Sequence, residues 1–194
     1  MNGKKVLVIN GHPDAESFNA GLTEAYLNGA KKQSFETEII NIRDLNFNPN
    51  LESGYRKRTE LEPDLVEAIE KIKKADHLVW IFPMWWYSFP AILKGFIDRT
   101  FLPGITYEIE PGKGFPKKLL KGKTGRIIIT ADTPNWYNKI FMKNPAINQM
   151  KKGILKFCGV NPVKVTYISP IKNSTDKFRL KWLNKIESLG SKAL

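Results

Sequence analysis

Short apolar runs alternate along this chain with segments whose apolar residues recur at helical spacing. The runs are rich in β-branched residues and cover residues 6–9, 77–82, 126–130 and 163–168. Residues 35–42 alternate apolar and polar side chains, with Ile39, Ile40 and Ile42 among them. Uninterrupted runs of this length are typical of strands buried on both faces of a parallel sheet. The pattern therefore predicts five strands.

Helical spacing of apolar residues follows each predicted strand. It covers residues 19–32, a segment beginning at Pro63, and residues 91–101, 148–157 and 176–189, while the polar residues 45–58 predict a long loop. Five β-α units without a linker indicate a single α/β domain over residues 1–194, with a parallel sheet covered by helices on both faces. In such sheets ligands bind beyond the carboxyl ends of the strands. The loops after Asn10, Phe82, Thr130 and Ile168 are therefore the candidate site.

Composition and charge restrict the partners of this domain. The chain is 42% hydrophobic and 26% charged, which suffices for a packed core, and its net charge is +12. Such a charge suits anionic partners: nucleic acid, an acidic membrane surface or phosphorylated small molecules. The lysines are spread along the chain and no zinc-finger or RNA-recognition pattern occurs, so we expect no nucleic-acid partner. Most of the charge is expected to be solvated surface, with a minority attracting phosphate-bearing cofactors.

Cysteine and histidine usage excludes several chemistries. Cys158 is the only cysteine, so no disulfide forms within the chain, and its place near the end of an apolar helix predicts a core residue rather than a nucleophile. The two histidines, His12 and His77, are too few for a histidine-based metal site, and no metal is expected. The first ten residues are too short for a signal peptide and no run of about 18 apolar residues occurs. We expect a cytoplasmic protein.

The first candidate loop, residues 10–19, joins the first strand to the first helix. Free N–H groups and the helix dipole at such a junction favour an anion. The loop has neither the glycine pattern of a dinucleotide-binding fingerprint nor a Walker lysine, but it offers donors from His12, Ser17 and Asn19. Two interpretations stay open here: these residues bind a phosphate, or Ser17 or Asn19 only caps the helix.

The second candidate loop, residues 82–90, carries three consecutive aromatic residues, Trp85, Trp86 and Tyr87. A loop presents neighbouring side chains in different directions, so the three cannot all face the core. Aromatic side chains beside a strand end form a surface on which a planar heterocycle can stack. The alternative is a hydrophobic contact between subunits, and both roles are compatible.

The third candidate loop follows the fourth predicted strand at Thr130. It supplies hydroxyl groups and backbone donors, and then the aromatic residues Trp136 and Tyr137. Asp132 is interpreted as a turn residue that bonds its own backbone, with general-base chemistry as the alternative. Tyr137 is a candidate proton donor.

Taken together, these loops resemble the NAD(P)H:quinone oxidoreductases of the flavodoxin-like superfamily. The resemblance covers nearly the whole chain. It rests on His12-Pro13 with Ser17-Phe18-Asn19, and on the segments at residues 45–49, 82–86, 90–96, 98–99 and 154–159. The Trp-Trp pair followed by Pro-Ala-Ile-Leu-Lys-Gly is its most specific part. It implies a flavodoxin-like three-layer sandwich with strand order 2-1-3-4-5.

The resemblance also implies roles for individual residues. The residues matching the flavin's phosphate loop are His12, Ser17, Phe18, Asn19 and Ala20. Those matching the loop along the isoalloxazine ring are Pro83, Met84, Trp85, Trp86 and Tyr87. The other edge of the ring corresponds to Thr130, Ala131, Asp132, Thr133 and Tyr137, where backbone N–H groups would stabilise negative charge. The substrate pocket corresponds to Trp86, Trp136 and Tyr107, the last contributed by the second subunit of a homodimer.

The chemistry that the resemblance implies is a ping-pong, two-electron reduction of quinones, or of nitro- or azo-arenes. NADPH or NADH donates a hydride to FAD or FMN, and residues 46–49 favour FAD because they match the position of an adenosine half. Tyr137 lies near the family's proton-relay tyrosine, but residues 138–143 contain no counterpart of the relay histidine. The alternative is a flavin-binding ancillary subunit of a membrane transporter.

Overall fold

A computed structural model describes residues 3–193 of the chain. Its main sheet has five parallel strands: β1 (Lys5–Asn10), β2 (Glu36–Asn41), β3 (His77–Pro83), β6 (Thr124–Thr130) and β7 (Val163–Ile168). They lie in the order β2-β1-β3-β6-β7. Two short strands, β4 (Tyr107–Glu108) and β5 (Lys117–Lys118), form a separate antiparallel hairpin. Without the hairpin strands this is the predicted order 2-1-3-4-5, and the flavodoxin-like fold is confirmed.

Helices cover both faces of the main sheet. They are α1 (Phe18–Lys31), α2 (Pro63–Lys74), α3 (Ala91–Thr100), α4 (Asn135–Ile140), α5 (Pro145–Asn148) and α6 (Asp176–Gly190). A 3₁₀ turn covers Ile42–Asp44, and a π-helix covers Gln149–Lys156. Strand side chains point alternately to the two faces of the sheet, so the buried core has two parts. Leu7, Ile9 and Leu78 face α2, α3 and the π-helix, whereas Val6 and Val8 face α1 and α6.

The structure differs from the sequence-based prediction in three elements. Residues 148–157 were expected to form an α-helix, but only Pro145–Asn148 is α-helical, and the π-helix follows up to Lys156. The hairpin strands and α4 were not predicted, since two-residue strands and a six-residue helix are too short to show a period. Gly159, three residues after the π-helix, has φ +113°, a conformation that L side chains rarely adopt.

The long loop between β2 and α2 is fixed by a buried arginine. Arg99 of α3 donates to the backbone carbonyls of Asn48 and Glu60 and forms an ion pair with Glu62 at 2.8 Å. Gly95, one turn earlier, lets the loop approach: a Cβ there would lie 2.4 Å from the Cβ of Pro49. The loop is therefore attached to α3 by specific contacts despite having no regular structure.

Candidate active site

A cleft of about 350 Å³ opens at the carboxyl ends of β1, β3, β6 and β7. This is where an open parallel sheet binds its ligands, beside the switch in strand order. Four loops line the cleft, with the residues His12, Asp14, Ser17, Phe18, Asn19, Pro83, Met84, Trp85, Thr130, Ala131, Asp132, Ile171, Lys172 and Arg179. All four loops predicted from the sequence thus meet at one place.

Close contacts fix the backbone of the first loop where it leaves β1. Gly11 donates its N–H to the carbonyl of Ile81 at 2.8 Å, and a Cβ at this position would lie 2.7 Å from a methyl group of Leu93. The buried side chain of Asn10 accepts the N–H of His12 at 3.1 Å. These contacts direct the loop away from the sheet and over the cleft.

His12 is held as a neutral ring at the mouth of the cleft. Its Nδ1 accepts the N–H of Asp14 at 3.0 Å, so the neutral ring carries its proton on Nε2. Desolvation by burial lowers the pKa of His12 below its usual 6.5, and the Asp14 carboxylate partly opposes that shift. The ring meets Trp85 edge-on, with 5.8 Å between centroids. The arrangement leaves Nε2–H as a donor at neutral pH.

Two residues at the start of α1 have different roles. Ser17 caps the helix, with its side chain accepting the N–H of Ala20 at 3.3 Å, as one of the two interpretations of the loop predicts. Asn19 is buried and accepts the hydroxyl of Thr130 through Oδ1 at 2.7 Å. Its Nδ2 is buried without a hydrogen-bond partner among the described residues. An orphan donor lining a cleft is a place for a ligand acceptor, because leaving it unpaired costs free energy.

The aromatic segment after β3 forms a tight two-residue turn. Trp85 and Ser88 exchange both backbone hydrogen bonds, at 3.0 and 2.9 Å. The two central residues have positive φ, +50° at Trp86 and +59° at Tyr87, although neither is glycine. The indole of Trp86 is 98% exposed, while Trp85 lines the cleft. The backbone is strained here, and its direct consequence is that Trp86 projects into solvent.

Asp132 joins two of the loops. Its Oδ1 accepts hydrogen bonds from the N–H groups of Ile171 and Lys172, in the loop after β7. The prediction that Asp132 bonds the backbone of its own turn is therefore wrong. The N–H of Ala131 donates to the carbonyl of Ile168 at 3.0 Å and is not available to a ligand, contrary to what the resemblance suggested for this stretch. Nearby, burial raises the pKa of Tyr167 to about 12, and its hydroxyl donates to the carbonyl of Thr133.

Basic side chains line the part of the cleft opposite the aromatic turn. Lys172 follows β7, and Arg179 lies in the first turn of α6. The Nε of Arg179 donates to Ser174 at 2.9 Å, and its guanidinium lies 5.6 Å from the centre of the Phe18 ring. The cleft therefore combines cations and an N-terminal helix end with the aromatic ring of Trp85.

The structure brings ten of the predicted site residues to the cleft and leaves the others outside its lining. Inside are His12, Ser17, Phe18, Asn19, Pro83, Met84, Trp85, Thr130, Ala131 and Asp132. Outside are Ala20, Trp86, Tyr87, Thr133, Trp136, Tyr137 and Tyr107. The N–H of Ala20 is used by Ser17. Tyr137 stacks on Phe141 at 5.1 Å on the exposed surface of α4.

Four residues of the cleft were not predicted: Asp14, Ile171, Lys172 and Arg179. The loop after Ile168 was recognised as a candidate from the alternation of strands and helices, but no residue in it was chosen. A basic residue in the first turn of the following helix was the available signal, since phosphate groups attract arginine and lysine.

His77 and Cys158, two candidates considered for chemistry, do not line the cleft. His77 is buried at the amino end of β3, between the Tyr26 hydroxyl at 3.0 Å and the Thr124 hydroxyl at 2.6 Å. Cys158 is a buried core residue, as predicted. Among residues 3–193, no cluster of three or more His, Cys, Asp or Glu side chains is suited to a metal ion. Within the same residues, no helix has the length and apolar character needed to cross a membrane.

Comparison with known proteins places this fold and cleft in a family. A family model described as the flavodoxin-like fold matches residues 4–188, so the chain belongs to the flavodoxin-like fold family. Ribosyldihydronicotinamide dehydrogenase (quinone) of Mus musculus is 29% identical over 184 residues, which cover 82% of this chain and 78% of that protein.

Solved structures share the fold over almost the whole chain. The crystal structure of Smu.1420 from Streptococcus mutans has a TM-score of 0.83 at 30% identity, covering 97% of this chain and 99% of that one. The NAD(P)H:quinone oxidoreductase of Methanothermobacter marburgensis has a TM-score of 0.82 at 22% identity, with 97% and 98% covered. An FMN-dependent NADH-azoreductase of Bacillus anthracis in complex with FMN has a TM-score of 0.75 at 20% identity, with 97% and 98% covered.

Proposed function

We propose that this protein is a flavin-dependent NAD(P)H oxidoreductase that reduces quinones by two-electron transfer. The observation that carries the proposal is the cleft itself, in which the buried, unpaired Nδ2 of Asn19 lies among residues of an anion-binding loop, beside Trp85. The names of the relatives support the reaction class: one is a quinone dehydrogenase and another an FMN-dependent azoreductase.

The polar part of the cleft fits the phosphate tail of a flavin. The first N–H groups of α1 have no intrahelical acceptor, and the positive end of the helix dipole favours a negative group. Arg179 and Lys172 supply positive charge, and the Nδ2 of Asn19 supplies a donor that lacks a partner. Asn19 is held in this orientation by its bond to Thr130.

The apolar part of the cleft fits the flavin's ring system. Pro83, Met84 and Trp85 line it, and Met84 is fixed by donating its N–H to the carbonyl of Thr130 at 2.7 Å. A flavin held there would supply the redox chemistry, which is to take a hydride from a reduced nicotinamide and pass two electrons to the acceptor. The protein's own part is to hold the ring, to keep water from one face of it and to donate the Nε2–H of His12.

An absorbance spectrum of the purified protein is the first test of this function. Flavin bands that bleach on anaerobic addition of NADPH or NADH and return with menadione are the expected result. A colourless protein that binds neither FMN nor FAD would refute the proposal. Bound flavin that neither nucleotide reduces would contradict the oxidoreductase activity and favour the ancillary transporter subunit, which stays a prediction of the resemblance.

Two substitutions test the proposed ring position and the proton-donor role that the resemblance implies for Tyr137. Trp85→Ala should lower both flavin content and turnover, and a variant with both unchanged would show that the ring lies elsewhere. Tyr137→Phe should lower turnover at unchanged flavin content if Tyr137 donates a proton.

The identity of the flavin follows from the released cofactor. The segment at residues 46–49 favours FAD, but none of its residues lines the cleft of its own subunit. The segment therefore favours FAD only if it contacts the cofactor in the cleft of a partner subunit. Mass spectrometry of the supernatant after heat denaturation distinguishes the two flavins.

We further propose a homodimer in which Tyr107 completes the partner's site. Tyr107 lies outside its own cleft, meets Phe157 edge-on at 5.0 Å and remains partly exposed. Mixing an Asn19→Leu chain with a Tyr107→Ala chain tests this, because a mixed dimer has one site with both residues intact. Recovery to about a quarter of wild-type turnover is expected after random exchange. A mixture that only averages the two inactive parents would refute the shared site.

A further inference from the structure

The net positive charge of this protein comes from one segment of the chain. Residues 111–175 contain 13 lysine and arginine residues but a single acidic residue, Asp132, whereas the rest of the chain contains 18 of each sign. This segment therefore carries the entire net charge of +12. An excess of lysine and arginine this large gives the segment a strong attraction for anions.

The hairpin at the start of this segment has an apolar tip. Phe115 is 88% exposed and Ile109 is 68% exposed, on the connection between β4 and β5. Isolated exposed apolar residues are common, but here two large ones share the short connection of one hairpin. Lys113 and Lys117 flank Phe115 and form ion pairs with Glu110 and Glu108. These pairs neutralise the hairpin's own acidic residues.

Three further lysines gather beside the base of this hairpin, around Gly159. A Cβ at Gly159 would lie 3.1 Å from the Cβ of Lys118 and 2.9 Å from the backbone nitrogen of Lys121. Lys156 ends the π-helix three residues earlier, and the N–H of Leu120 donates to the carbonyl of Cys158 at 2.9 Å. All three lysines are exposed, and the ion pairs found within residues 3–193 do not include them. We call Lys118, Lys121 and Lys156 the lysine cluster.

We propose that the hairpin tip and the lysine cluster dock this protein on anionic phospholipid bilayers. Phe115 and Ile109 have the apolar character needed to enter the headgroup boundary, while the lysines lie over phosphate and carboxylate headgroups. The cluster contains lysine and no arginine, which favours a lipid surface over a folded partner. Recognition of nucleic acid or of protein carboxylates prefers the planar, bidentate guanidinium, whereas a lipid surface needs only diffuse positive charge. The inference does not depend on the proposed reaction. It requires that Ile109 and Phe115 stay uncovered in the proposed homodimer, in which Tyr107 of the same hairpin reaches the partner's cleft.

Sedimentation of the full chain with vesicles tests this docking. Vesicles of equal parts phosphatidylserine and phosphatidylcholine should carry the protein into the pellet at low salt, and salt should release it as the charges are screened. Pure phosphatidylcholine vesicles should leave it in solution. The triple change Lys118→Gln, Lys121→Gln and Lys156→Gln should lower partitioning about a hundredfold, since each lysine near the surface contributes about fivefold.

Matched variants separate docking from general effects of charge and hydrophobicity. Lys177→Gln, Lys181→Gln and Lys185→Gln remove the same charge from exposed positions of α6, in the part of the chain without net charge, and should keep most of the binding. Phe115→Ser with Ile109→Ser should lower partitioning by about tenfold or more. Val66→Ser with Leu180→Ser, at other exposed apolar positions, should not.

Four results would overturn the proposal. The first is a wild-type protein that stays in solution with the anionic vesicles at low salt, and the second is equal loss of binding in both lysine triples. The third is a wild-type protein that binds a DNA duplex but no vesicles, and that loses its DNA binding only in the lysine-cluster triple variant. The fourth is a Phe115→Ser, Ile109→Ser variant that elutes at half the wild-type mass, which would assign the tip to contact with a second copy.

Discussion

Asn19 and Thr130 are 111 residues apart in sequence, yet the hydroxyl of Thr130 donates to Asn19 Oδ1 at 2.7 Å across the floor of the cleft. One consequence is that the amide of Asn19 cannot rotate without losing this bond. Its unpaired Nδ2 is therefore held in a fixed orientation. The pair preorganises a donor for a ligand, which is the usual way in which a site reduces the entropic cost of binding.

The first prediction concerns this pair. Asn19→Ala should weaken the binding of free flavin to apo-protein about tenfold, because one donor is lost. Thr130→Val should weaken it less, since the donor stays but can rotate. Thr23→Val removes a hydroxyl that donates to the backbone carbonyl of Asn19, outside the cleft lining, and serves as the control. Quenching of flavin fluorescence gives the affinity, and an Asn19→Ala protein with wild-type affinity would show that Nδ2 does not meet the ligand.

The strained turn gives a second prediction. Trp86→Gly should raise the free energy of unfolding by about 1 kcal/mol, because glycine adopts positive φ without a steric cost and the exposed indole loses little packing. It should also lower quinone turnover. Ser34→Gly relieves a similar φ of +56° in a turn after α1 and should stabilise the protein without changing turnover. Urea denaturation and steady-state assays separate the two effects, and full activity in Trp86→Gly would remove Trp86 from the reaction.

His77 gives a prediction on pH. Desolvation, with Lys4, Arg126 and Lys164 nearby, lowers the pKa of His77 from 6.5 to about 3. The unfolded chain binds a proton at this residue below pH 6.5 while the folded chain does not until about pH 3. The contribution of neutral His77 to the free energy of unfolding is therefore complete above pH 6.5 and declines as the pH falls towards 3, by on the order of 5 kcal/mol in all.

Urea titrations between pH 7 and pH 4 measure this slope. His77→Gln cannot titrate, so its stability should fall less steeply with decreasing pH even if it is lower at pH 7. Parallel pH profiles for the wild type and the variant would show that another group is responsible.

Arg99 gives a fourth prediction, on the long loop. Arg99→Met leaves two backbone carbonyls and the Glu62 carboxylate without their donor, which should destabilise the protein by about 3 kcal/mol. Arg56, Lys57 and Arg58 are already exposed, but the loop should become mobile enough to enter the active site of trypsin, which cleaves after these residues. Faster cleavage there than in wild type, read by mass spectrometry at a temperature where both are folded, is the expected result.

Lys94→Met is the control for Arg99→Met. It removes the exposed pair with Asp98 on the same helix and should leave the cleavage rate of the loop unchanged. Equal cleavage of the loop in wild type and Arg99→Met would mean that contacts other than those of Arg99 hold it.

The sequence by itself determined the strands, most helices and the four loops of the cleft, because these follow from local periodicity. The run from His77 to Phe82 predicts a buried strand, and Ser17 before a helical segment offers a cap; the structure has both. The resemblance added the strand order and the flavin-type chemistry, through segments such as Pro90-Ala91-Ile92-Leu93-Lys94-Gly95.

Only the tertiary structure decided which residues meet. The bonds from Asp132 to the loop after β7, the place of Arg179 beside Phe18 and the orphan amide of Asn19 all join segments far apart in sequence. Local pattern contains no information on such pairs, since they depend on how strands and helices pack. The same reason explains why Trp85 lines the cleft while Trp86, its neighbour, lies in solvent: the tight turn, and not the residue type, sets the direction of each side chain.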